Sequence, residues 1–172
     1  MWAVRLYCVQ KSFCVELSAV MITTEKSDPT SAESQRLMTQ LSVVLAAITG
    51  DEGKGHFSSD TLNAPRALWA LARDHHGVAI GCGAIRPLSA TTAEVKRVFS
   101  TGEIAGTGAA LMRFLEQNAL LLGYRDIWLA TRLINSGAVA FYRRQGYNII
   151  DNYGDYVGRE ETICLAKRLD PR

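Results

Sequence analysis

The chain has 172 residues, of which 48% are hydrophobic and 21% are charged, and its formal net charge is +2. This length and this hydrophobic fraction predict a globular domain with a substantial core and exclude an intrinsically disordered chain. The basic residues are scattered and do not form a stripe, which argues against a dedicated nucleic-acid-binding protein. The four cysteines (Cys8, Cys14, Cys82 and Cys164) have neither C-x-x-C nor metal-ligand spacing, which predicts reduced thiols and a cytoplasmic location.

The first twenty residues carry no recognisable motif. Charged side chains interrupt them at Arg5, Lys11 and Glu16, so we expect no membrane span and no continuous apolar region of a signal peptide. We expect residues 1–20 to be either an extension upstream of a domain at 21–172 or an edge strand of it. An edge strand shared between two copies would make the protein a homodimer.

A strand is predicted at residues 19–26, and a helix follows it. Pro29 suits the first helical turn, Thr30 and Glu33 have the spacing of a capping box, and Gly50 ends the helix. One face of this helix is apolar, with Leu37, Leu41, Val44, Leu45 and Ile48. Residues 51–63 are predicted to form a loop.

Two strands at residues 67–73 and 78–85 are predicted to form a hairpin. Gly81 and Gly83 in the second strand indicate a bulge or the close approach of another group to the sheet. His75 and His76 fall in the turn of the hairpin, and His56 falls in a polar loop. Three histidines placed in this way predict no zinc site.

The most informative stretch is a strand at residues 93–100, a turn with Gly106 and Gly108, and a helix at 109–122. A glycine turn that opens a helix presents unpaired backbone N–H groups and the positive end of the helix dipole, so it is suited to bind phosphate. The turn lacks the lysine and hydroxyl of a Walker P-loop and the third glycine of a Rossmann fingerprint. We therefore expect neither a nucleotide triphosphatase nor a dinucleotide-binding protein.

The remaining elements are a strand at 127–131, a helix at 136–145 that ends at Gly146, and strands at 147–150 and 162–167. A strand, a helix and a strand in this order predict a parallel pair with a right-handed crossover. The predicted fold is therefore a single α/β (α+β) domain. Its mixed sheet is mostly antiparallel, with a central parallel β-α-β crossover and flanking helices.

The segment from Ala93 to Tyr147 resembles the GNAT superfamily of acetyl-CoA-dependent N-acetyltransferases. In that family the phosphate loop follows the pattern Q/R-x-x-G-x-G/A, which we align with Ala105 to Ala110, and alanine replaces the first residue. Downstream, Asn135 to Tyr147 matches N-x-x-A-x-x-x-Y-x-x-x-G-F/Y. The resemblance implies an acyltransferase that takes acetyl-CoA as co-substrate and acetylates a primary amine of a small molecule. The scattered charges and the interrupted N-terminal segment predict no nucleic-acid and no membrane partner.

The resemblance also implies the residues that bind the cofactor. Val98, Phe99 and Ser100 would hydrogen-bond the pantetheine arm as a neighbouring strand does, and a backbone N–H near Phe99 or Ser100 would stabilise the oxyanion. The pyrophosphate would lie on Ala105, Gly106, Thr107, Gly108, Ala109 and Ala110. Asn135 matches a cofactor-contacting position, and its alternative role is a helix N-cap.

Two catalytic residues follow from the same resemblance. Glu94 would be the base that accepts the amine proton through water, and its alternative is an exposed strand charge. Tyr142 would be the acid, because a phenol with a pKa of about 10 stays protonated at neutral pH; its alternative is a packed aromatic residue. Strand alternation places Lys96 on the face of Glu94 and Arg97 on the other, and the sequence leaves open which of the two faces the pocket.

Two other functions stay open on the sequence. A non-catalytic acyl-CoA-binding module is suggested by Ala105, which lacks a side-chain contact to the pyrophosphate. An acetyltransferase acting on a protein or peptide amine is the second. Phe57 and Asp60 in the loop at 51–63 would either help to wall the acceptor pocket or form plain surface.

Overall fold

The computed structural model describes residues 21–52 and 62–170. Its elements, in chain order, are β1 (Thr23–Lys26), α1 (Ala32–Thr49), β2 (Leu68–Arg73), β3 (Ala79–Pro87), β4 (Thr92–Ser100), α2 (Thr107–Leu121), β5 (Asp126–Arg132), α3 (Ser136–Arg144), β6 (Asn148–Ile150) and β7 (Thr162–Arg168). The N-terminal segment 1–20 and the candidate residues Phe57 and Asp60 lie outside the described residues.

The described strands form one seven-stranded sheet in the order β1-β2-β3-β4-β5-β7-β6. Neighbouring strands are antiparallel everywhere except between β4 and β5, which are parallel. The helix α2 connects these two parallel strands. The predicted fold, a mostly antiparallel mixed sheet with a central β-α-β crossover, is confirmed.

The N-cap of the first helix lies one residue later than the predicted cap. The Oγ atom of Ser31 accepts a hydrogen bond from the N–H of Ser34 at 3.3 Å, so Ser31 is the N-cap. Thr30 instead bonds Asp28: its N–H and its hydroxyl both donate to Oδ1 of Asp28, each at 2.7 Å. Gly50 ends the helix in the left-handed conformation with φ 74°, as predicted.

The two faces of the sheet carry separate apolar layers. On one face, Leu111, Met112 and Leu115 of α2 are fully buried. On the other face, Leu37 of α1 packs in a cluster with Trp69 of β2. Because each face is covered by a helix, the sheet forms the middle layer of a three-layer domain.

The predicted close approach at Gly81 is confirmed. A Cβ atom on this residue would lie 2.8 Å from the carbonyl oxygen of Phe99 and 2.9 Å from a methyl carbon of Leu111. Real Cβ atoms do not approach other atoms so closely, so only glycine lets α2 pack this tightly on β3 and β4. This packing holds the start of α2 near the end of β4.

Among the described residues, no helix is long and apolar enough to cross a membrane. The same residues contain no group of three or more histidine, cysteine or acidic side chains arranged to hold a metal. Cys82 and Cys164 are free thiols, as predicted, and both are buried. His75 and His76 are exposed in the turn between β2 and β3.

Candidate active site

A gap in the sheet separates the C-terminal halves of β4 and β5. The two strands pair only at their beginnings, where Glu94 lies opposite Trp128 in the last paired position. Beyond this point β4 stays paired to β3 and β5 stays paired to β7. A cavity of about 400 Å³ lies in the gap. Two strand edges with free backbone groups can receive an extended ligand as an additional strand.

A β-bulge in β4 accompanies this divergence. Cys82 of β3 pairs with Phe99 and Ala84 pairs with Lys96, so Arg97 and Val98 together face Gly83. Arg97 has a positive φ of 56°. Bulged strands bend and twist more strongly than regular ones, which turns β4 away from β5. The bulge predicted from the paired glycines is thus confirmed.

The bulge also explains which of the side chains of Lys96 and Arg97 faces the cavity. Strand alternation predicts that they point to opposite faces, yet both line the cavity. The extra residue interrupts the alternation at this point. Arg97 reaches the end of α1, where its Nη1 donates to the carbonyl oxygen of Glu52 at 3.3 Å.

The backbone of β4 beyond the bulge presents donors to the gap. The N–H of Thr101 donates to the carbonyl oxygen of Ile80 in the direction of β3, at 2.9 Å. Successive residues of a strand direct their backbone groups to opposite edges. The N–H groups of Val98 and Ser100 therefore face the gap, whereas that of Phe99 faces β3.

The start of α2 is a free helix N-terminus. Gly106 is the N-cap, with φ 90°, and no side chain of the described residues caps this helix. The first intrahelical bond runs from the N–H of Ala110 to the carbonyl oxygen of Gly106 at 2.9 Å. The N–H groups of Gly108 and Ala109 have no partner within the helix, so they are available to an anion.

The structure also explains why both residues of the turn, 106 and 108, are glycines. Gly106 adopts a left-handed conformation that other residues rarely tolerate. A Cβ atom on Gly108 would lie 3.1 Å from Cζ of Phe141 in α3. A larger side chain at 108 would therefore push against the ring of Phe141, so the loss of ligand binding in such a variant would not by itself show that the turn binds the ligand.

Tyr142 and Asn135 of the α3 region both line the cavity. The ring of Tyr142 packs edge-on against Phe141 and Tyr147, with centroid distances of 5.1 and 5.8 Å. Burial raises the pKa of Tyr142 above its ordinary value, so the phenol stays protonated. Oδ1 of Asn135 accepts a hydrogen bond from the N–H of Ala138 at 3.2 Å, so its role as a helix N-cap is confirmed.

Glu94 lies beneath the cavity and does not line it. Its side chain is only 1% exposed and is bound by Nη2 of Arg86 at 2.6 Å and Nζ of Lys96 at 3.0 Å. The hydroxyl of Tyr153 donates to it at 2.9 Å. Burial by itself raises the pKa of Glu94, but the two cations more than offset this and lower it. The alternative of an exposed strand charge is therefore wrong.

Sequence reasoning missed the tyrosines that surround this carboxylate. The hydroxyl of Tyr156 accepts a hydrogen bond from Lys96, and both residues line the cavity. The ring of Tyr153 packs on Trp128 with a centroid distance of 5.1 Å, and burial together with Glu94 raises its pKa. The segment between β6 and β7 has no periodic pattern. The only feature of this segment that points to a functional role is the spacing of Tyr153 and Tyr156.

Comparison with known sequences agrees with this architecture. The model of the acetyltransferase (GNAT) family matches residues 35–147. An uncharacterized N-acetyltransferase of Schizosaccharomyces pombe is 32% identical over 92 residues, which are 52% of this chain and 56% of that protein. The IAA acetyltransferase of Azospirillum brasilense is 27% identical over 151 residues, which are 86% of this chain and 98% of that protein.

Solved structures share the fold. A protein of Klebsiella pneumoniae, provisionally named an acyl-CoA N-acyltransferase, superposes with a TM-score of 0.73 at 24% identity, over 87% of this chain and 99% of that one. A GNAT family acetyltransferase of Elizabethkingia anophelis with bound acetyl-CoA gives a TM-score of 0.63 at 17% identity, over 86% and 98% of the two chains. With the family match across residues 35–147, these findings establish that the chain belongs to the acetyltransferase (GNAT) family and is an acyltransferase.

Proposed function

We propose that this enzyme transfers the acetyl group of acetyl-CoA to a primary amine of a small molecule by direct attack. The observation that carries the proposal is the gap between β4 and β5, which opens beyond Glu94 near the free N-terminus of α2. A long donor with amides in its arm and phosphates at its end fits a strand edge followed by a helix N-terminus. The acetyl-CoA bound in the Elizabethkingia protein supports this donor.

Each part of the donor has a place in this proposal. The amides of the pantetheine arm pair with the backbone of Val98 and Ser100 at the free edge of β4, and Phe99, whose N–H faces β3, lines the cavity beside the arm. The pyrophosphate lies on the turn from Ala105 to Ala110, where the N–H groups of Gly108 and Ala109 carry the binding. Asn135 lines the cavity beside the donor while its side chain caps α3.

The chemical step needs a neutral amine, an oxyanion site and an acid. The amine nitrogen attacks the thioester carbon, and the developing oxyanion is stabilised by the N–H of Ser100 or Val98. The tetrahedral intermediate then collapses: the C–S bond breaks and the new C–N bond remains. The departing thiolate takes the phenolic proton of Tyr142, and the product amide leaves with coenzyme A.

Glu94 is our candidate for the group that finally accepts the proton of the amine. Lys96 and Tyr156 connect it to the cavity, since Lys96 bonds both Glu94 and the hydroxyl of Tyr156. The lowered pKa of Glu94 makes it a weak base. We therefore expect part of its effect to come from holding Lys96 and Tyr156 in position.

The proposed function is tested by incubating the enzyme with acetyl-CoA and a panel of small amines. Released thiol and the mass of the acetylated product are both measured, and turnover above the enzyme-free rate supports the proposal. Binding of acetyl-CoA without thiol release would favour a non-catalytic acyl-CoA-binding module. Acetylation of proteins or peptides alone would replace the small-molecule acceptor.

A charge prediction tests the phosphate turn. The pattern Q/R-x-x-G-x-G/A begins at Ala105 when Gly108 fills its first glycine position, and at Glu103 when Gly106 fills it. The second alignment also places Gly108 in the other glycine position. We therefore expect Glu103→Arg to tighten acetyl-CoA binding more than Ala105→Arg, each by at least about 1 kcal/mol, because an added charge-assisted contact has this order of magnitude.

Calorimetric titration with acetyl-CoA measures this difference. Gln117→Arg adds one positive charge, as Ala105→Arg does, on the exposed surface of α2, about 15 Å along the helix from the turn, and should leave the affinity unchanged. Equal affinities of the wild type and both turn variants would remove the start of α2 from the cofactor site.

A further inference from the structure

The charges that line the cavity are strongly unequal. Among the described lining residues, four are cationic and one is acidic: Lys96, Arg97, Arg132 and Arg159 against Asp51. The start of α2, where we place the pyrophosphate, is not part of this lining. These cations therefore surround the part of the cavity where the thioester and the acceptor meet.

The cations lie on the α1 side of the sheet. Leu129 belongs to the core under α2, so strand alternation places Ala130 and Arg132 on the opposite face. Lys96 also lies on the α1 side, bonded to Tyr156, and Arg97 reaches the end of α1. Tyr142, the proposed acid for the thiolate, comes from α3. Hence the cations face the side from which the acceptor would approach the thioester.

Two of these cations are poorly neutralised. Nε of Arg132 is buried without a hydrogen-bond partner, and its Nη1 is 4.0 Å from Oε1 of Glu161, at the limit of an ion pair. Arg159 makes no ion pair with a described residue. Lys96, by contrast, is balanced by Glu94 at 3.0 Å. A buried guanidinium N–H without an acceptor is unfavourable, and a ligand carboxylate would satisfy it.

The loop that carries Arg159 is fixed in place. The two N–H groups of Nδ2 of Asn152 are shared among the carbonyl oxygens of Tyr156, Arg159 and Thr162, which lie 3.1, 3.0 and 3.2 Å from Nδ2. These bonds set the path of the backbone from β6 to β7. Arg159 is therefore presented at the cavity by an ordered backbone, which favours specific recognition over loose attraction.

The wall formed by α1 is apolar. Val44, Leu45 and Ile48 line the cavity, and Val44 and Ile48 remain 42% and 39% exposed. We infer that the acceptor of the proposed acetyl transfer, on which this inference rests, is a small amine that carries both a carboxylate and an apolar group, as amino acids do. The carboxylate pairs with Arg132 and Arg159, and the apolar group packs on α1. Polycationic amines are disfavoured by like charge.

Matched amines test this acceptor class without changing the reacting group. 4-(Aminomethyl)benzoate and 4-(aminomethyl)benzamide differ at a position that the ring separates from the amine, so the two amines titrate alike. We expect kcat/KM, followed by released thiol, to be about tenfold higher for the carboxylate, since charge-assisted hydrogen bonds from guanidinium groups to a carboxylate discriminate at this level. Spermidine, a polycation, should be the poorest of the three.

Variants of Arg132 and Arg159 test whether these two residues cause the preference for the carboxylate. Arg132→Gln and Arg159→Gln should each lower kcat/KM for the benzoate by about tenfold and leave the benzamide nearly unchanged. The control is Arg125→Gln, an exposed arginine just before β5 that does not line the cavity, which should change neither rate. Melting temperatures of all variants report on the fold, and calorimetry of the two acetylated products with the coenzyme A complex measures recognition without turnover.

Each result decides between specific claims. Equal use of both amines, or preference for the benzamide or spermidine, would overturn the acceptor class and leave acetyl transfer established. Equal losses for both amines in the arginine variants would overturn the role of Arg132 and Arg159. An absence of thiol release with every amine would overturn the proposed function, and the acceptor class with it.

Discussion

Tyr142→Phe is expected to lower turnover by about 10²- to 10⁴-fold, which is the usual contribution of a general acid. Phenylalanine keeps the ring that packs edge-on against Phe141 and Tyr147. The hydroxyl that it removes makes no hydrogen bond with any described residue, so stability should change little. The wild-type phenol is protonated at all working pH values because burial raises its pKa.

Steady-state rates and melting temperatures of the variant test this expectation. Its affinity for acetyl-CoA should stay within a few-fold of wild type, since backbone groups of β4 and α2 make most of the proposed contacts. The loss of rate should shrink with an acyl donor whose leaving thiol is more acidic, because a better leaving group needs less protonation. Near-normal turnover in a folded variant would make Tyr142 a packed helix residue only.

Tyr147→Phe is the matched control. Tyr147 belongs to the same aromatic cluster but does not line the cavity, and its hydroxyl donates to Oε1 of Glu116 at 3.0 Å. Removing this hydroxyl leaves a part-buried carboxylate with one donor fewer, so stability should fall by about 1 kcal/mol or more. Turnover should remain near the wild-type value, which separates the chemistry of Tyr142 from general packing effects.

The features that sequence predicted well depend on neighbouring residues. Gly50 and Gly106 both adopt positive φ at helix ends, a preference that glycine carries in any fold. The crossover from β4 to β5 follows from a strand, a helix and a strand in succession. The resemblance of residues 135–147 to the family motif named Tyr142 and Asn135, which both line the cavity.

The features that sequence missed depend on pairings between distant segments. Gly81 and Gly83 indicate a bulge, but its position at Arg97 depends on the pairing in which two residues of β4 face Gly83 of β3. Tyr153 and Tyr156 contact Glu94 and Lys96 only because β7 pairs with β5 and brings the preceding loop beside β4. For the same reason, Glu94 is buried although its position in the sequence also fits an exposed charge.

Glu94→Gln is expected to destabilise the fold by about 3 kcal/mol, the low end of the range for breaking a buried ion pair. Glutamine leaves Arg86 and Lys96 close together without a counter-charge. We take the low end because the side chain of Arg86 is still 25% exposed. The lowered pKa of Glu94 means that its stabilising effect is present above its unfolded pKa of about 4.3 and is lost as the pH falls through the folded pKa. The variant should lack this part of the acid dependence of unfolding.

Urea unfolding at several pH values measures this effect, and Glu116→Gln provides the control. Glu116 is a second part-buried carboxylate, bonded by Nζ of Lys167 at 2.7 Å, and it does not line the cavity. Its replacement should reduce stability and leave turnover unchanged. An unfolding free energy of Glu94→Gln equal to wild type at neutral pH would contradict the ion-pair role of Glu94.

The pH profile of turnover then distinguishes two roles of Glu94: a base that accepts the proton of the amine, and a residue that positions Lys96 and Tyr156. If Glu94 accepts the proton of the amine, the loss in Glu94→Gln should be largest at low pH and should shrink as the pH rises, because more amine is then neutral without assistance. If Glu94 only positions Lys96 and Tyr156, the loss should be the same factor at every pH at which the variant is folded. Glu94 is bound by two cations and its pKa is lowered, so its carboxylate stays ionised at every pH above the ordinary pKa of a glutamate. Any recovery at high pH therefore reports the titration of the amine and not that of Glu94.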